Sequence, residues 1–361
     1  MSKINIIPIF VPHLGCPHDC VFCNQRRITG ISDYKKEGFI EKLNYFKNIF
    51  KNSNKDIEVA FYGGSFTAID KKTQIELLEI AKSEKDKGNI DRIRISTRPD
   101  FINDEILEYL KNYKVDIIEL GVQSLDEEVL TLSKRGHSSK IVFEASELIK
   151  KNNFKLGLQQ MVGLPGDDEK KSIETALKII SIKPDFVRIY PTLVIKETEL
   201  EELFYKGIYK PLPLENAISI VTNLMFLYDN NDIPIIRVGL QSTEELQYDK
   251  DVVAGPLHDA FRELCESNKL LKILESADLD LATPTSISSN GRNISLLVGQ
   301  KGINKRRIEE LFKVRKIAFK INNKINDNEI IVEYEKSKYI INIGYEINKI
   351  VEGCNNVLKK H

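Results

Sequence analysis

The sequence predicts an α/β protein, with an open parallel (β/α)6 partial TIM barrel followed by a small α+β C-terminal domain. Predicted strands and helices alternate over the first two-thirds of the 361 residues, with short connections. Such alternation is typical of a parallel sheet with crossover helices. The residues of chemical interest also follow the predicted strands, and in barrels the chemistry lies at the carboxyl ends of the strands.

The elements of the barrel follow from short apolar runs and from helical periodicity. Each predicted strand is an apolar run bounded by glycine, proline or polar residues. These runs are 5–11, 58–62, 93–97, 115–122, 156–162 and 186–190, with 235–238 as one further strand. Apolar residues at helical spacing predict the helices, at 39–51, 71–87, 103–112, 138–152, 169–182 and 215–228.

The alternation stops after Val238, and this change predicts three domains. We expect a core domain over 1–240, a helical extension and linker over 241–285, and a small basic domain over 286–361. A helical pattern over 241–274, interrupted at Gly255 and Pro256, is followed at 282–293 by a predicted linker rich in residues that favour loops. Near the C-terminal end, strands are predicted at 317–321, 330–334 and 339–343.

The chain carries no net charge, but its charges are unevenly distributed. Between Arg292 and Lys324 there are ten basic and two acidic residues, a net charge of +8. Such a concentration favours an anionic partner. No apolar run approaches the ~18 residues of a membrane span, and the N-terminus has no signal-peptide pattern. We therefore expect a cytoplasmic protein with no membrane partner.

Three of the five cysteines lie in one loop after the first predicted strand. Cys16, Cys20 and Cys23 have the spacing C-x3-C-x2-C. Thiolates are the usual ligands of iron–sulfur clusters, normally four to a cluster, so three leave one iron open. The alternative is a structural zinc site in which His13 or His18 supplies the fourth ligand.

The spacing of these cysteines, with the aromatic Phe22 before the third, resembles the radical S-adenosylmethionine (radical SAM) superfamily. The resemblance implies an enzyme with a [4Fe-4S] cluster whose open iron binds S-adenosyl-L-methionine (SAM). It implies reductive cleavage of SAM to methionine and a 5′-deoxyadenosyl radical, with electrons from an external one-electron donor of the flavodoxin or ferredoxin type.

Gly63, Gly64 and Ser65 end the second predicted strand. Two glycines leave the backbone bare, so that a ligand can approach closely, although such a pair is commonly only a turn. After a cysteine loop one strand earlier, the run resembles the superfamily motif for the SAM amino group. The resemblance thus implies SAM contacts at Phe22 and at these three residues.

Gln123 follows the fourth strand and Arg135 lies shortly after it. The pattern resembles oxygen-independent coproporphyrinogen oxidases and the Elongator catalytic subunits. It implies that Gln123 lies near the SAM ribose and that Arg135 binds the SAM carboxylate, a group that a guanidinium fork matches well. The structural alternatives are a strand cap and a surface cation. Gln159 departs from the coproporphyrinogen oxidases, which have an acidic residue there.

The runs 188–200, 205–211, 237–240 and 254–261 look specifically like the Elongator protein 3 family, which modifies the wobble uridine of tRNA. The likeness covers about residues 4–265. The likeness makes Lys196 and His258 candidate catalytic residues of the substrate pocket. A solvated loop lysine and a helix cap are the alternatives for these two residues. That family carries an acetyltransferase domain, for which we find no glycine-rich acetyl-CoA loop in this sequence. We therefore expect no use of acetyl-CoA.

A Gly-x-x-Gly turn between Gly299 and Gly302 precedes a basic helix. The segment resembles a KH domain, in which this loop clamps the backbone of single-stranded nucleic acid. The alternative is a small capping or dimerisation domain with a solvated basic face. The resemblance implies nucleic-acid contacts at Gly299, Lys301, Gly302, Lys305 and Arg306.

Three functions remain open from the sequence. The first is a radical SAM enzyme that modifies an RNA nucleotide, in tRNA or rRNA. The second is a radical SAM enzyme acting on a small molecule or peptide, and the third is a non-enzymatic RNA-binding protein with a structural metal loop. The residues favour the first, because a structural zinc loop gives no reason for Gly63, Gln123 and Arg135 to recur at successive strand ends.

Overall fold

The structure is a computed structural model that describes residues 4–11, 20–24, 36–240, 246–248, 250–279 and 283–358, with side chains up to residue 353. The chain divides into two compact units. The first comprises Met1–Pro213 and Leu240–Leu257, and the second comprises Leu214–Gly239 and His258–His361. The three-domain division expected from the sequence stays a prediction.

Six parallel strands form the first unit, and they are adjacent in the order of the sequence. They are β1 (Asn5–Val11), β2 (Ile57–Gly63), β3 (Arg92–Thr97), β4 (Ile117–Gln123), β5 (Lys155–Val162) and β6 (Phe186–Pro191). The described helices of this unit are α1 (Lys36–Phe50), α2 (Lys71–Asp86), α3 (Asp104–Asn112), α4 (Glu127–Leu132), α5 (Ser139–Lys151), α6 (Glu169–Ile182) and α7 (Glu199–Tyr205). This confirms the predicted open partial barrel.

The pairing brings the carboxyl ends of the strands to one edge. Val11 pairs with Gly63, and Gln123 pairs with Gln160 across a register shift that follows Gly121. Because side chains of parallel neighbours lie side by side at such an edge, residues far apart in the sequence become neighbours there.

Close packing inside the sheet depends on one glycine of β5. A Cβ atom at Gly157 would lie 2.3 Å from the ring of Phe186, which is buried on the adjacent strand. The ring fills this space, and the guanidinium of Arg94 stacks 4.9 Å from its centroid. The sequence pattern thus places a bare backbone beside a bulky aromatic residue.

A short antiparallel pair in the first unit corrects one prediction. The sequence predicts a helix over 241–274, but Val252–Ala254 is a strand, β9, which pairs with β7 (Val194–Ile195). The helix itself begins only at Phe261. Two consecutive β-branched residues, Val252 and Val253, precede Gly255, and this combination favours an extended segment over a helix.

The second unit contains five described helices and a four-stranded sheet. Its elements are α8 (Leu214–Asp229), β8 (Ile235–Val238), α9 (Phe261–Ser276), β10 (Ser286–Ser289), α10 (Gly291–Val298), α11 (Ile303–Leu311), β11 (Ala318–Ile321), β12 (Glu329–Glu333), β13 (Lys338–Asn342) and α12 (Ile343–Leu358). The sheet order is β11-β10-β12-β13, in which only β10 and β11 pair in parallel. The strands predicted in this region are confirmed within one residue.

The predicted linker over 282–293 is wrong in its second half. The serines of β10 are buried in the sheet, and Asn290 caps α10 by accepting a hydrogen bond from the backbone of Asn293. Serine and asparagine favour loops in a sequence pattern, yet here they serve as strand and cap residues. Among the described helices, none is long and apolar enough to cross a membrane.

Candidate functional site

The cysteine loop is held to the first unit by backbone hydrogen bonds. The backbone N–H of Val21 donates to the carbonyl of Ser133 at 3.2 Å, and the carbonyl of Val21 accepts from Leu200 at 2.7 Å. Val21 also packs in a buried apolar cluster with Leu200, and Phe22 lies against this cluster. The loop is therefore anchored at Val21, the residue before its aromatic side chain.

The structure describes two of the three predicted metal ligands. Cys20 is buried and Cys23 is half-buried, and the N–H of Cys23 donates to the carbonyl of Cys20 at 3.0 Å, which closes a turn. Cys16 lies outside the described residues, as do His13 and His18. No group of three or more histidine, cysteine or acidic side chains that could hold a metal occurs within the part of the chain that the structure describes.

Two guanidinium groups donate to the sulfur of Cys20. The Nη1 atom of Arg135 lies 3.2 Å from Sγ, and Nη1 of Arg98 lies 3.7 Å from it. Cys20 is only 6% exposed. Because N–H donors and positive charge stabilise a thiolate, this sulfur is suited to metal ligation. Burial, and then the charge of Arg135, lowers the pKa of the nearby His137 to about 4, so that its ring is neutral at pH 7.

The end of β2 forms a cradle that only glycine can provide. Gly63 has a φ of +102°, and a Cβ atom there would lie 2.7 Å from the carbonyl oxygen of Val11. The N–H of Gly64 donates to the same carbonyl at 3.3 Å. Ser65 follows as a buried residue, and its carbonyl accepts from Ala68 at 3.0 Å. The predicted amino-group motif thus lies beside the last residue before the cysteine loop.

Gln123 has a strained backbone and an unsatisfied oxygen. Its φ is +68°, a region that residues other than glycine rarely adopt. Its side chain is buried, and its Oε1 atom has no hydrogen-bond partner among the described residues. Such strain and such an orphaned acceptor are typical of ligand-binding positions.

Gln123 and Arg135 converge on Gly121. A Cβ atom at Gly121 would lie 3.1 Å from Nε2 of Gln123 and 3.7 Å from Nη2 of Arg135. Arg135 also donates from Nη2 to the carbonyl of Gly121 at 2.5 Å. Gly121 therefore leaves the space that both side chains use. The structure brings together Gln123 and Arg135, two of the six residues for which the sequence predicts SAM contacts.

The turn after β5 is closed by an acidic side chain. Asp167 accepts hydrogen bonds from the backbone of Gly163 and the hydroxyl of Ser172, both at 2.8 Å. Burial raises the pKa of Asp167 to about 6. The hydroxyl of Tyr209 donates to the carbonyl of Gly163 at 2.6 Å. The Gly-Leu-Pro-Gly segment is therefore a rigid turn at the same edge of the sheet.

Comparison with known families decides the class of this protein. The radical SAM superfamily matches residues 10–179, and the radical SAM C-terminal domain matches residues 184–272. This chain belongs to the radical SAM superfamily. It is accordingly an enzyme whose cofactors are a [4Fe-4S] cluster and SAM, and the bare backbone at Gly63, the orphaned oxygen of Gln123 and the donors to Cys20 fit these groups.

Several of its relatives are tRNA uridine(34) acetyltransferases or Elongator proteins. The chain is 32% identical over 235 residues to an uncharacterised protein of Methanocaldococcus jannaschii, covering 62% of this chain and 72% of that protein. It is 27% identical over 263 residues to the tRNA uridine(34) acetyltransferase of the same organism, covering 62% of this chain and 48% of the relative. Over 164 residues it is 32% identical to human Elongator complex protein 3, covering 44% and 30%.

A solved structure shows the same fold. The archaeal Elp3 of Methanocaldococcus infernus with an N-terminal deletion aligns with a TM-score of 0.59 at 22% identity, covering 75% of this chain and 64% of that one. The chain spans about half the length of the tRNA uridine(34) acetyltransferases it matches. The radical SAM domain is thus Elongator-like, and the activity of the whole relatives does not follow from it.

The two predicted substrate residues belong to different units of this radical SAM protein. In the first unit, Lys196 lies beside the cysteine loop, since its carbonyl accepts from the side chain of Asn24 at 3.2 Å. In the second unit, Nδ1 of His258 accepts from the backbone of Ala260 at 3.1 Å, as in a cap. Their roles in the substrate pocket stay predictions.

Sequence reasoning missed a buried network of charges inside the partial barrel. Arg94 contacts Glu58 at 2.5 Å and Glu119 at 3.3 Å. Arg188 contacts Glu119 at 3.0 Å and donates to the hydroxyl of Tyr62 at 2.7 Å. Burial raises the pKa of Glu58, and the charge of Arg94 opposes this rise.

A signal for this network was present in the sequence. Single charged residues stand in otherwise apolar strands at Glu58, Arg94, Glu119 and Arg188. Because a buried charge is costly unless it is paired, a charge in a buried strand requires a partner of opposite charge on another strand whose side chain faces the same side of the sheet. Two arginines contact two glutamates in this network, so their formal charges sum to zero.

The predicted nucleic-acid turn connects α10 and α11. Gly299, Lys301 and Gly302 have φ values of +71°, +51° and +68°. A Cβ atom at Gly299 would lie 3.2 Å from Asn304, whereas only the Arg306 guanidinium approaches Gly302 within 4 Å. Lys301 and Arg306 are exposed and Lys305 is half-buried. The turn thus presents cations around a backbone that is open to solvent at Gly302.

The helices on both sides of this turn are fixed to α9. The side chain of Asn304 donates to the carbonyl of Ser267 at 2.9 Å, and the hydroxyl of Ser267 donates to the carbonyl of Leu296 at 2.6 Å. These buried hydrogen bonds join α9, α10 and α11. The turn is therefore supported by a rigid base, as a binding loop requires.

Proposed function

We propose that this radical SAM enzyme modifies a nucleotide of RNA, with tRNA as the first substrate to test. The proposal depends on one observation: an Elongator-like radical SAM domain and a basic module with a Gly-x-x-Gly turn occur in the same chain. The relatives that act on tRNA uridine 34 support RNA as the substrate class. The excess of basic residues between Arg292 and Lys324 supports an anionic partner.

The cofactors would be held by residues of the first unit that follow the ends of several strands. Cys16, Cys20 and Cys23 would hold the cluster. The bare backbone of Gly63 and its neighbours would accept the SAM amino group. The cofactors would supply a carbon-centred radical that removes a hydrogen atom from the substrate, with electrons from an external flavodoxin-type or ferredoxin-type donor.

The second unit would bind the RNA backbone. The RNA backbone would approach the turn between Gly299 and Gly302, where no described side chain apart from Arg306 covers Gly302. Lys301, Lys305 and Arg306 would neutralise neighbouring phosphates. Lys196 and His258 would contact the nucleotide to be modified. Carboxymethyl transfer, which needs acetyl-CoA, is not part of this proposal.

RNA binding is tested with purified protein and total cellular tRNA in a filter-binding titration. We expect Gly302→Asp to weaken binding at least tenfold, because a carboxylate at the turn repels phosphate. Gly353→Asp is the matched control, since it adds the same charge on exposed α12 with open space around the Cβ position. Equal affinity of both variants and the wild type would remove the RNA part of the proposal.

The salt dependence tests which cations contact phosphate. The double variant K305A/R306A should reduce the slope of log K against log salt by about 1.4, because each contact to a single strand contributes about 0.7. Lys140→Ala changes a lysine that is 81% exposed on α5, and it should leave the slope unchanged.

An activity experiment distinguishes an RNA substrate from the alternative, a small-molecule or peptide substrate. Reconstituted enzyme is incubated with SAM and dithionite, with and without tRNA, and 5′-deoxyadenosine is quantified. The proposal predicts that tRNA increases its formation and that a modified nucleoside appears by mass spectrometry. Formation of 5′-deoxyadenosine that tRNA does not affect would favour a small-molecule or peptide substrate.

A further inference from the structure

The end of β3 holds a buried ion pair that the cofactor contacts above do not include. Arg98 is 3% exposed, and it forms a two-point contact with Asp100: Nε lies 2.9 Å from Oδ1 and Nη2 lies 3.0 Å from Oδ2. Nη2 also donates to the backbone carbonyl of Arg135. The fork of Arg98 is thus occupied by protein groups, and its remaining terminal nitrogen, Nη1, faces Sγ of Cys20 at 3.7 Å.

Arg98 and Arg135 differ in a way that separates their roles. No ion pair between Arg135 and a carboxylate occurs among the described residues, and its Nε atom is buried without a hydrogen-bond partner there. Arg135 can therefore accept a carboxylate from a ligand. Arg98 already has its carboxylate in Asp100, and its bidentate edge is not available to SAM. Beside this ion pair and the carbonyl of Arg135, Arg98 donates to the sulfur of Cys20.

We propose that Arg98, fixed by Asp100, raises the reduction potential of the cluster by donating a hydrogen bond to the ligand atom Cys20 Sγ. This inference rests on the cluster of the radical SAM class and is independent of the RNA substrate. Arg98 is a positioning residue, since it acts through Cys20 and through the carbonyl of Arg135 and does not contact the reacting atoms.

The physical reason is electrostatic. Reduction adds one electron to a buried group, with no bond formed or broken and no proton transferred. A donor and a positive charge at a ligand sulfur stabilise the more negative state more strongly, particularly where water is excluded. The ion pair directs its positive end at Cys20 and its negative end away from it, so that the oriented pair favours reduction even though its net charge is zero.

The test is an anaerobic redox titration of the reconstituted full-length protein. Dithionite is the reductant, the EPR signal of the reduced cluster is the readout, and SAM is omitted. Arg98→Gln should lower the ratio of reduced to oxidised cluster at a fixed potential about tenfold, which corresponds to a midpoint about 59 mV more negative for a one-electron couple. A midpoint equal to that of the wild type overturns the proposal.

Arg92→Gln is the matched control. Arg92 begins the same strand and pairs with Asp56 near the surface, about 20 Å from Arg98 along β3 at about 3.3 Å per residue. The same chemical change there should leave the midpoint unchanged, and an equal shift in both variants would contradict a local effect at Cys20.

If Arg98→Gln does not retain iron, Arg98→Lys tests the proposal instead. Arg98→Lys keeps the positive charge, but an ammonium cannot make the two-point contact with Asp100 and also reach Cys20. Its midpoint should lie between those of the wild type and Arg98→Gln, and a wild-type value for Arg98→Lys overturns the proposal. Binding of tRNA should be unaffected in either variant, so this test fails separately from the RNA proposal.

Discussion

Gly63 approaches Val11 so closely that a Cβ atom on Gly63 would lie 2.7 Å from the carbonyl oxygen of Val11. The contact joins the ends of the first two parallel strands at the point where the chain enters the cysteine loop. Since the obstacle is backbone, it cannot be relieved by the rotation of a side chain. The requirement for glycine there is therefore both conformational and steric.

Gly63→Ala should destabilise the protein by more than twice as much as Gly88→Ala. Both glycines have a positive φ, +102° and +72°. Both alanine variants should therefore lose about 1 kcal/mol of stability from the strained backbone conformation. Only Gly63 also has a backbone clash, since nothing lies within 4 Å of the Cβ position at Gly88. Urea denaturation of the two variants measures the difference, and equal losses of stability would contradict this account.

Arg135→Gln should weaken SAM binding by tenfold or more. A hydrogen bond to a charged group contributes about 1.5–3 kcal/mol, and the fork of a guanidinium suits a carboxylate better than an ammonium does. We therefore expect Arg135→Lys not to restore the affinity. Equilibrium dialysis with labelled SAM provides the measurement, on samples matched for iron content because Arg135 also contacts Cys20.

The control for Arg135 is its neighbour Lys134. Its side chain is 58% exposed and pairs with Glu199 at the surface. Lys134→Gln removes one positive charge one residue away and should leave SAM affinity unchanged. Equal weakening by Lys134→Gln and Arg135→Gln would show that SAM affinity depends on the positive charge of this region and not on a direct contact with Arg135.

Asp167 should make the stability of the protein fall as the pH rises from about 4 to about 6. Its pKa is about 6 in the folded chain and ordinarily 3.8. The protonated form is favoured by folding, so its contribution is fully present below pH 3.8 and is lost as the pH rises through 6. The shift corresponds to about 3 kcal/mol at most.

The variant Asp167→Asn should remove this pH dependence. The free energy of unfolding of the wild type and the variant, measured from pH 4 to pH 7.5, should differ by an amount that changes with pH. Asp104→Asn is the control, because it makes the same chemical change at an exposed position of α3. Parallel curves for the wild type and Asp167→Asn would refute the assignment.

Glu119→Gln should cost about 3 kcal/mol of stability or more. Glu119 accepts from Arg94 and Arg188 in the interior of the sheet, and removing one partner from a buried network leaves charge uncompensated. Glu105→Gln, on exposed α3, should change stability by less than about 0.5 kcal/mol. Thermal or urea denaturation compares the two, and similar small effects would mean that the network is hydrated.

The barrel could be predicted from the sequence because its strands are short apolar runs, whereas its helices have apolar residues at helical spacing. Each parallel strand is an apolar run with its chemistry at the end, so that Gly63, Gln123 and Arg135 could be grouped before any coordinates. The prediction was weaker where composition misleads. The serine-rich composition of β10 predicts a linker. Only the pairing of β10 with β11 and β12 explains why its serines are buried.

Other features require three-dimensional pairing and could not be derived from the sequence. Arg98 follows β3 as an ordinary basic residue, and its role emerges only when Asp100, Cys20 and the carbonyl of Arg135 surround it. The opposed charges of Arg94 and Glu119 belong to different strands, and the register determines whether they meet. Lys196 and His258 belong to different units of the chain, and their place in a substrate pocket is a prediction from the family resemblance alone.

The central claim is that Cys16, Cys20 and Cys23 hold a cluster that cleaves SAM, and one anaerobic experiment tests it most directly. The protein is reconstituted and assayed for iron, sulfide and zinc, and 5′-deoxyadenosine is measured after addition of SAM and dithionite. We predict about four irons per chain and 5′-deoxyadenosine in the wild type, with both lost in Cys16→Ala, Cys20→Ala and Cys23→Ala. Zinc without iron, and no cleavage of SAM after reconstitution, would contradict the account.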